Sequence, residues 1–251
     1  MSKSSTTLPV LETVQVAWEK VYGAKATFWA ALGIILIASL VLGFIEGLFS
    51  RAPQALQFIL TIGVTIIQFL LNMGLIYIGI KRAQDKPITY KQMFYPFTDK
   101  LALKLVLLYI LQILVFLPVI GILLLGGAFG NVSPVLMVIT GIIAVVLAVF
   151  IAVRIALSWA FVIDNHLWPV EAIRASFRAT RSHVFAILAI YLIVSLLAMA
   201  CIIPAFLSVV LFGGYGLIIG IPVSVAGLIW VIPLGMIIYG LVYKKLTEKN
   251  A

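Results

Sequence analysis

An all-α fold that crosses a membrane six times is what this sequence predicts, and three observations predict it. Six apolar stretches fill the chain from Ala26 onward, each near or above the roughly 20 residues that a bilayer-spanning helix needs. Charge is scarce, at 10% of 251 residues beside 64% hydrophobic and a mean hydropathy of +1.25, whereas soluble domains carry about 25% charge. The connections between the stretches alternate between strongly basic and nearly uncharged.

Taken in order, the first element is an amphipathic lead-in that opens on Pro9. It carries Val10, Val14, Trp18, Val21 and Tyr22 on one face and ends near Gly23, with Pro suited to the first helical turn and Gly to the stop. The first span, Ala26 to Phe49, is longer than the roughly 7 to 15 apolar residues of a secretory signal, so it reads as a retained crossing. Leu56 to Ile80 is the second span. A second lead-in runs from Pro87 through Ile88, Met93, Phe94 and Phe97 and is interrupted by Pro96. Leu101 to Gly127 and Val135 to Ile163 are the third and fourth spans. The third lead-in, from Pro169, sets Val170, Ile173 and Phe177 on one face and Arg174, Arg178 and Arg181 on another, the pattern of a helix lying in the membrane interface. Val184 to Val210 and Leu217 to Tyr243 complete the six.

Basic residues flank these spans almost entirely on one side. Lys3, Lys20 and Lys25 precede the first; Lys81, Arg82, Lys86, Lys91, Lys100 and Lys104 lie between the second and third. Arg174, Arg178 and Arg181 lie between the fourth and fifth, and Lys244, Lys245 and Lys249 follow the sixth. The opposite side holds Arg51 alone. Basic loops stay cytoplasmic, which predicts that both termini are cytoplasmic. The net charge of +9 is thereby explained as a topology signal with a secondary attraction to anionic headgroups. Nucleic acid is not needed as a partner.

The three prolines stand 78 and 82 residues apart, and an aromatic residue, Trp18, Phe94 or Phe177, follows each by 7 to 9 positions. Repeats over 9–82, 87–164 and 169–245, each a surface helix and two spans, are expected within one membrane domain covering 1–251. Two crossings per unit give successive units the same orientation, hence parallel repeats.

Three segments carry a family resemblance: AWEKVYGAKATFW (Ala17 to Trp29), GLIYIGIKRAQDKPITYKQMFYPF (Gly74 to Phe97) and WAFVIDNHLWPVEAIRASFRATRSHVFAIL (Trp159 to Leu188). They resemble the bacterial YciC-type integral membrane proteins, whose clan includes the membrane domain of some glycerophosphodiester phosphodiesterases. The resemblance implies a six-helix protein of the bacterial inner membrane. The expectation here is of no appended phosphodiesterase domain, so that activity does not carry over.

The candidate functional residues are the polar ones at membrane depth. Arg154 lies about ten residues before Asp164, on the order of 13 to 15 Å inside the cytoplasmic end at about 1.5 Å per residue. An Arg there costs roughly 2.5 to 3.5 kcal/mol to insert. Backbone carbonyls, the Asn72 amide or a lipid phosphate are its expected partners. Gln68 and Asn72 fall i, i+4 on the second span and Gln112 at similar depth on the third, either bridging helices or lining a polar path. Gly43 with Gly47 and Gly216 with Gly220 are small pairs that permit close helix approach. Pro118, Pro204, Pro222 and Pro233 are expected to interrupt the third, fifth and sixth spans, which either kinks them or opens a cavity. Cys201, the single cysteine, excludes an internal disulfide and reads as a small core residue. His166 and His183 read as solvated interface residues, without the cluster a metal site requires.

No Ser/His/Asp set, HExxH or phosphate loop is present in the sequence, so an enzyme and a cofactor are not expected. Two functions stay open. One is a small transporter or lipid-handling protein with a cavity between repeats, using Arg154, Gln68, Asn72 and Gln112. The other is a non-transporting scaffold or accessory subunit that binds a protein partner or anionic lipid through Arg174, Arg178 and Arg181.

Overall fold

The computed structural model describes residues 8–98, 100–130 and 133–248; Lys3 and Lys249, used above for topology, lie outside them. Every regular element among the described residues is helical. In chain order these are α1 (Val10–Val21), α2 (Lys25–Leu48), α3 (Gln54–Ala83), a 3₁₀ segment (Tyr90–Phe97), α4 (Leu101–Gly130) and α5 (Pro134–Ile155). There follow α6 (Ser158–Asn165), α7 (Pro169–Thr180), α8 (Val184–Phe212), a 3₁₀ turn (Gly213–Gly216) and α9 (Leu217–Glu248). Five helical stretches are long and apolar enough to cross a membrane: Lys25–Leu48, Gln54–Ala83, Leu101–Ala128, Pro134–Asn165 and Val184–Glu248. The last is 65 residues long and contains the turn at Gly213, where φ is 60°.

Local chemistry sets the boundaries of the short elements. Pro9 precedes α1, and Gly23, at φ 79°, follows it. The helix α3 ends with Asp85 left-handed at φ 60°, which lets the Lys86 N–H reach the Lys81 carbonyl at 3.0 Å. His166, at φ 55°, does the same for α6 as the Leu167 N–H bonds the Phe161 carbonyl at 3.3 Å. The first is a six-to-one closure and the second is one residue wider, and the left-handed residue in such closures is usually glycine. The second lead-in, expected as a helix weakened by Pro96, is instead the 3₁₀ segment Tyr90–Phe97, opened by a Thr89–Gln92 capping box.

The prolines do not interrupt their spans. α4, α8 and α9 run on through Pro118, Pro204, Pro222 and Pro233. A proline removes one N–H and frees the carbonyl four residues earlier, and neighbours can satisfy what is freed. The carbonyl of Ile229, four before Pro233, accepts the Trp29 indole N–H at 3.2 Å. Beside Pro204, the Ala205 N–H donates to Ser224 Oγ at 3.2 Å. The helix that does break is the fourth apolar stretch, at Ala156 and Leu157, where there is no proline.

The described chain forms two compact units, one of residues up to 98 with those from 186 onward, the other of residues 99–185. In the first unit α3 and α9 meet through glycine. A Cβ on Gly79 would strike the Met236 backbone, and one on Gly240 would strike Gly79 and Ile80. Gly74 likewise admits the Met93 backbone of the 3₁₀ segment. Gly216 and Gly220 give the α8–α9 hairpin its close approach at Ser208 and Ala205, and half-buried Cys201 packs on Gly227. Gly43 and Gly47 have nothing within 4 Å, so the expected close contact is absent there. α1 buries Ala17 and Val21 fully against α9. In the second unit α4 pairs with α5, and α6 and α7 pack together.

Large apolar side chains face outward along the long helices; on α2 alone Leu36, Ile37, Leu40, Phe44 and Leu48 are exposed. At roughly 25 cal/mol per Å² of apolar surface left in water, such faces require an apolar solvent.

Candidate functional site

In the second unit the helical hydrogen-bond ladder is interrupted between α5 and α6, at Ala156 and Leu157, which stay in the right-handed region, although the local sequence, AVRIALSWAF, contains no breaker. The cause is hydroxyl groups. Ser158 Oγ donates to the Ile155 carbonyl at 2.6 Å, a local bond that competes with the helix ladder. From α7, Ser176 Oγ donates to the Arg154 carbonyl at 2.7 Å and accepts the Leu157 N–H at 3.2 Å. Thr180 Oγ1 also reaches the Arg154 carbonyl, at 3.4 Å. One hydroxyl on a neighbouring helix thus serves both sides of the gap, satisfying backbone groups whose burial unpaired would cost about 1 to 3 kcal/mol each.

The arrangement also sets which face of α7 packs inward and what surrounds Arg154. The buried face of α7 is Ala172, Ser176, Ala179 and Thr180; Val170 is exposed, and Ile173 and Phe177 are only half-buried. Small and hydroxyl residues pack inward because α7 must approach the broken backbone closely. Arg154 is also not isolated at depth. It lies against the last turn of α7, its guanidinium 4.7 Å from the Phe177 ring centroid and its Nη1 donating to Thr180 Oγ1 at 3.4 Å. Its Nε is buried with no hydrogen-bond partner among the described residues. Among the described residues its side chain bonds no backbone carbonyl; its own carbonyl is the group that accepts bonds.

Gln112 meets the helix-bridging expectation. Its Nε2 donates to Ser158 Oγ at 2.7 Å, tying α4 to the same break. Gln68 and Asn72 belong to the first unit, where Asn72 Nδ2 donates back along its own helix to the Gln68 carbonyl at 2.7 Å. That bond runs from the Asn72 side chain to the main chain of its own helix and is therefore internal to α3. His166 is exposed, and its carbonyl accepts Lys104 Nζ at 2.5 Å. His183, expected in solvent, is buried, since it follows directly on the inward face of α7.

Arg174 and Arg178 stand exposed on α7 and, with Glu171, Ile173 and Phe177, line an open hollow of about 550 Å³. Among the described residues no salt bridge involves Arg154, Arg174, Arg178 or Arg181. Glu171 shares the hollow, and its carboxylate accepts the Trp168 N–H at 3.4 Å at the start of α7. Arg181, the residue after α7, adds a second positive charge to the surroundings of Arg154.

The cations of the first unit are placed differently. Lys20 and Lys244 both pair with Asp85, the latter at 3.6 Å, and Lys245 pairs with Glu12 at 3.0 Å. Arg82 donates to the Lys20 and Tyr22 carbonyls at 2.9 and 2.8 Å. Lys25 lies over the Trp230 ring, which stacks on Trp18 and meets Tyr22 edge-on. The hydrogen bond from Lys20, aided by the charges of Lys20 and Lys244, holds the Asp85 carboxyl below its ordinary value of 3.8.

Chemically, the second unit offers guanidinium groups beside apolar and aromatic surface, which suits an anion carried on an apolar body. No group of three His, Cys, Asp or Glu residues that could hold a metal ion occurs among the described residues. The sequence analysis missed Ser158, Ser176 and Thr180; the small and hydroxyl residues at 172, 176, 179 and 180 were the available signal. No family model, no curated protein and no solved structure matches this chain.

Proposed function

We propose that this chain is a six-crossing protein of the bacterial inner membrane, of the YciC type its sequence resembles, that binds anionic phospholipid through α7. The carrying observation is the α7 hollow, in which Arg174 and Arg178 stand beside Ile173 and Phe177. Guanidinium groups match the paired oxygens of a phosphate, and the apolar residues suit the glycerol and upper acyl segments. This reading keeps the lipid-handling part of one alternative and the lipid-binding part of the other.

Six crossings follow from length. A 65-residue apolar stretch would extend about 97 Å at 1.5 Å per residue, some three times a hydrocarbon core of about 30 Å, and its turn at Gly213–Gly216 divides it into two. The repeat reading is supported by element spacing. The short elements end at Val21, Phe97 and Thr180, and in each case a long helix begins four positions later, at Lys25, Leu101 and Val184. It is supported too by recurrent pairing, α1 on α9, the 3₁₀ segment on α3 and α7 on α6. Cytoplasmic termini rest on the charge bias.

Titration of the detergent-solubilised protein with short-chain phosphatidylglycerol and phosphatidylcholine tests the function. Two arginines at about 1 kcal/mol each give an anionic preference of up to about thirtyfold, falling as salt rises. Equal binding of the two lipids at low salt would contradict the reading. For topology, Gly214→Cys in a Cys201→Ala background should react with an impermeant thiol reagent from the periplasm; reaction only after permeabilisation would reverse the orientation.

A further inference from the structure

The Arg154 guanidinium is provided for on one side only. It carries five N–H donors and is always charged. The Phe177 ring covers it, one donor makes a 3.4 Å bond to Thr180 Oγ1, and Nε is buried with no partner among the described residues. Thr180 Oγ1 itself donates to the Ser176 carbonyl at 2.8 Å, so it contributes a single weak acceptor. No described carboxylate pairs with Arg154, and the nearby charge, Arg181, is of like sign. Gln112, the other polar candidate on this unit, spends its amide N–H on Ser158. Two neighbouring cations, one of them a partly desolvated and under-used guanidinium, are tolerated where an anion joins them, and a phosphate oxygen suits the Nη donors that the buried Nε leaves at the surface.

Resting on the lipid-binding reading above, we propose that Arg154, with Arg181, forms an inner site for a phosphate or phosphodiester anion beside Phe177. Phe177 belongs to both places, lining the outer hollow and stacking on the Arg154 guanidinium. A phospholipid whose apolar part rests on Ile173 and Phe177 would bring its phosphodiester to these donors, while Arg174 and Arg178 meet the rest of the headgroup. A free phosphate would satisfy the same donors.

The two sites differ in their response to salt, because the exposed arginines, Arg174, Arg178 and Arg181, are screened and the half-buried Arg154 much less so. Protein in mild detergent is incubated separately with short-chain phosphatidylglycerol, short-chain phosphatidylcholine and inorganic phosphate, washed in high salt, and assayed for phosphorus per chain and for thermal stability. The wild type should keep a near-stoichiometric salt-resistant phosphorus from phosphatidylglycerol. Arg154→Gln should retain it roughly tenfold more weakly, the loss of a charge-assisted pair. Arg154→Lys keeps the charge but loses the fork, and should also be weakened; it carries the test if Arg154→Gln is unstable. The Arg174→Gln/Arg178→Gln variant should lose the salt-labile binding and keep the salt-resistant fraction. Retention of inorganic phosphate in preference to lipid supports the site and identifies free phosphate as its occupant. Wild-type retention unchanged in folded Arg154→Gln and Arg154→Lys overturns the inner site. Salt-labile phosphatidylglycerol binding with no salt-resistant fraction also overturns it and leaves the α7 reading standing. No preference for phosphatidylglycerol at any salt concentration overturns both.

Discussion

α1 and α7 are built from the same sequence plan, and the contrast lies in how each is fastened. Both are 12-residue helices that follow or begin on a proline, carry an aromatic residue in their second half and end in basic residues. α1 is held by charge and by rings: Lys245 to Glu12, Lys20 to Asp85, Trp18 on Trp230. α7 is held by neutral hydroxyls, Ser176 and Thr180, on the backbone break of the fourth apolar stretch. Fastening by charge commits the cations of α1 to the protein. Fastening by hydroxyl leaves the arginines of α7 without acidic partners among the described residues, and therefore available.

The largest expected effect lies at the hydroxyl fastening. Ser176→Ala removes the partner of the Leu157 N–H and leaves the Arg154 carbonyl only the 3.4 Å bond from Thr180 Oγ1, and should lower stability by about 2 to 3 kcal/mol, since an orphaned group costs about 1 to 3 kcal/mol. A detergent-unfolding titration measures it. A loss near zero would mean that the break is sustained by its own sequence, and the contrast with α1 would fail.

Trp230→Ala comes next. It removes the stack with Trp18, the edge contact with Tyr22 and the ring under Lys25, for about 2 kcal/mol from burial and ring geometry. Limited proteolysis near residue 22 should quicken in step, because α1 loses its main anchor on α9. Unchanged cleavage would assign the anchoring of α1 to its ion pairs.

Asp85→Asn is smaller, at most about 1 kcal/mol, because the carboxylate is largely exposed and such pairs are weak. The sign of its pH dependence follows from a folded-state pKa held below 3.8. The stabilisation is fully present above the unfolded value and is lost as pH falls through the folded one. Wild type and variant should therefore differ at neutral pH and converge as pH falls below the folded-state value. High salt should also narrow the gap. A difference that grows with acid would mean that the carboxyl is destabilising where it stands.

What could be read from the sequence and what could not divide along the same lines as α1 and α7. The apolar helices were legible because twenty or more consecutive hydrophobic residues have few other uses, and Pro9, Gly23 and Pro169 mark ends through purely local sterics. The break at Ala156 was illegible because the groups that make it, Ser176 and Thr180, lie some twenty residues away, and four prolines were more conspicuous. Pro233 stays within a continuous helix where a distant partner, the Trp29 indole N–H on another helix, donates to the freed carbonyl of Ile229. Arg154 was recognised as a costly residue, yet its surroundings depended on which face of α7 turns inward. Hydrophobicity favoured Val170, Ile173 and Phe177, and close packing favoured Ala172, Ser176, Ala179 and Thr180.

The most direct test of the account compares two charge-matched variants, Arg174→Gln/Arg178→Gln on α7 and Lys20→Gln/Lys245→Gln around α1, for binding of phosphatidylglycerol at one low salt concentration. Both remove two positive charges. The account predicts that the α7 variant keeps its stability to within about 0.5 kcal/mol and loses about tenfold or more in affinity, while the α1 variant loses stability and less than about threefold in affinity. Equal losses of affinity in the two variants would show that net charge alone attracts the lipid, and would contradict the account.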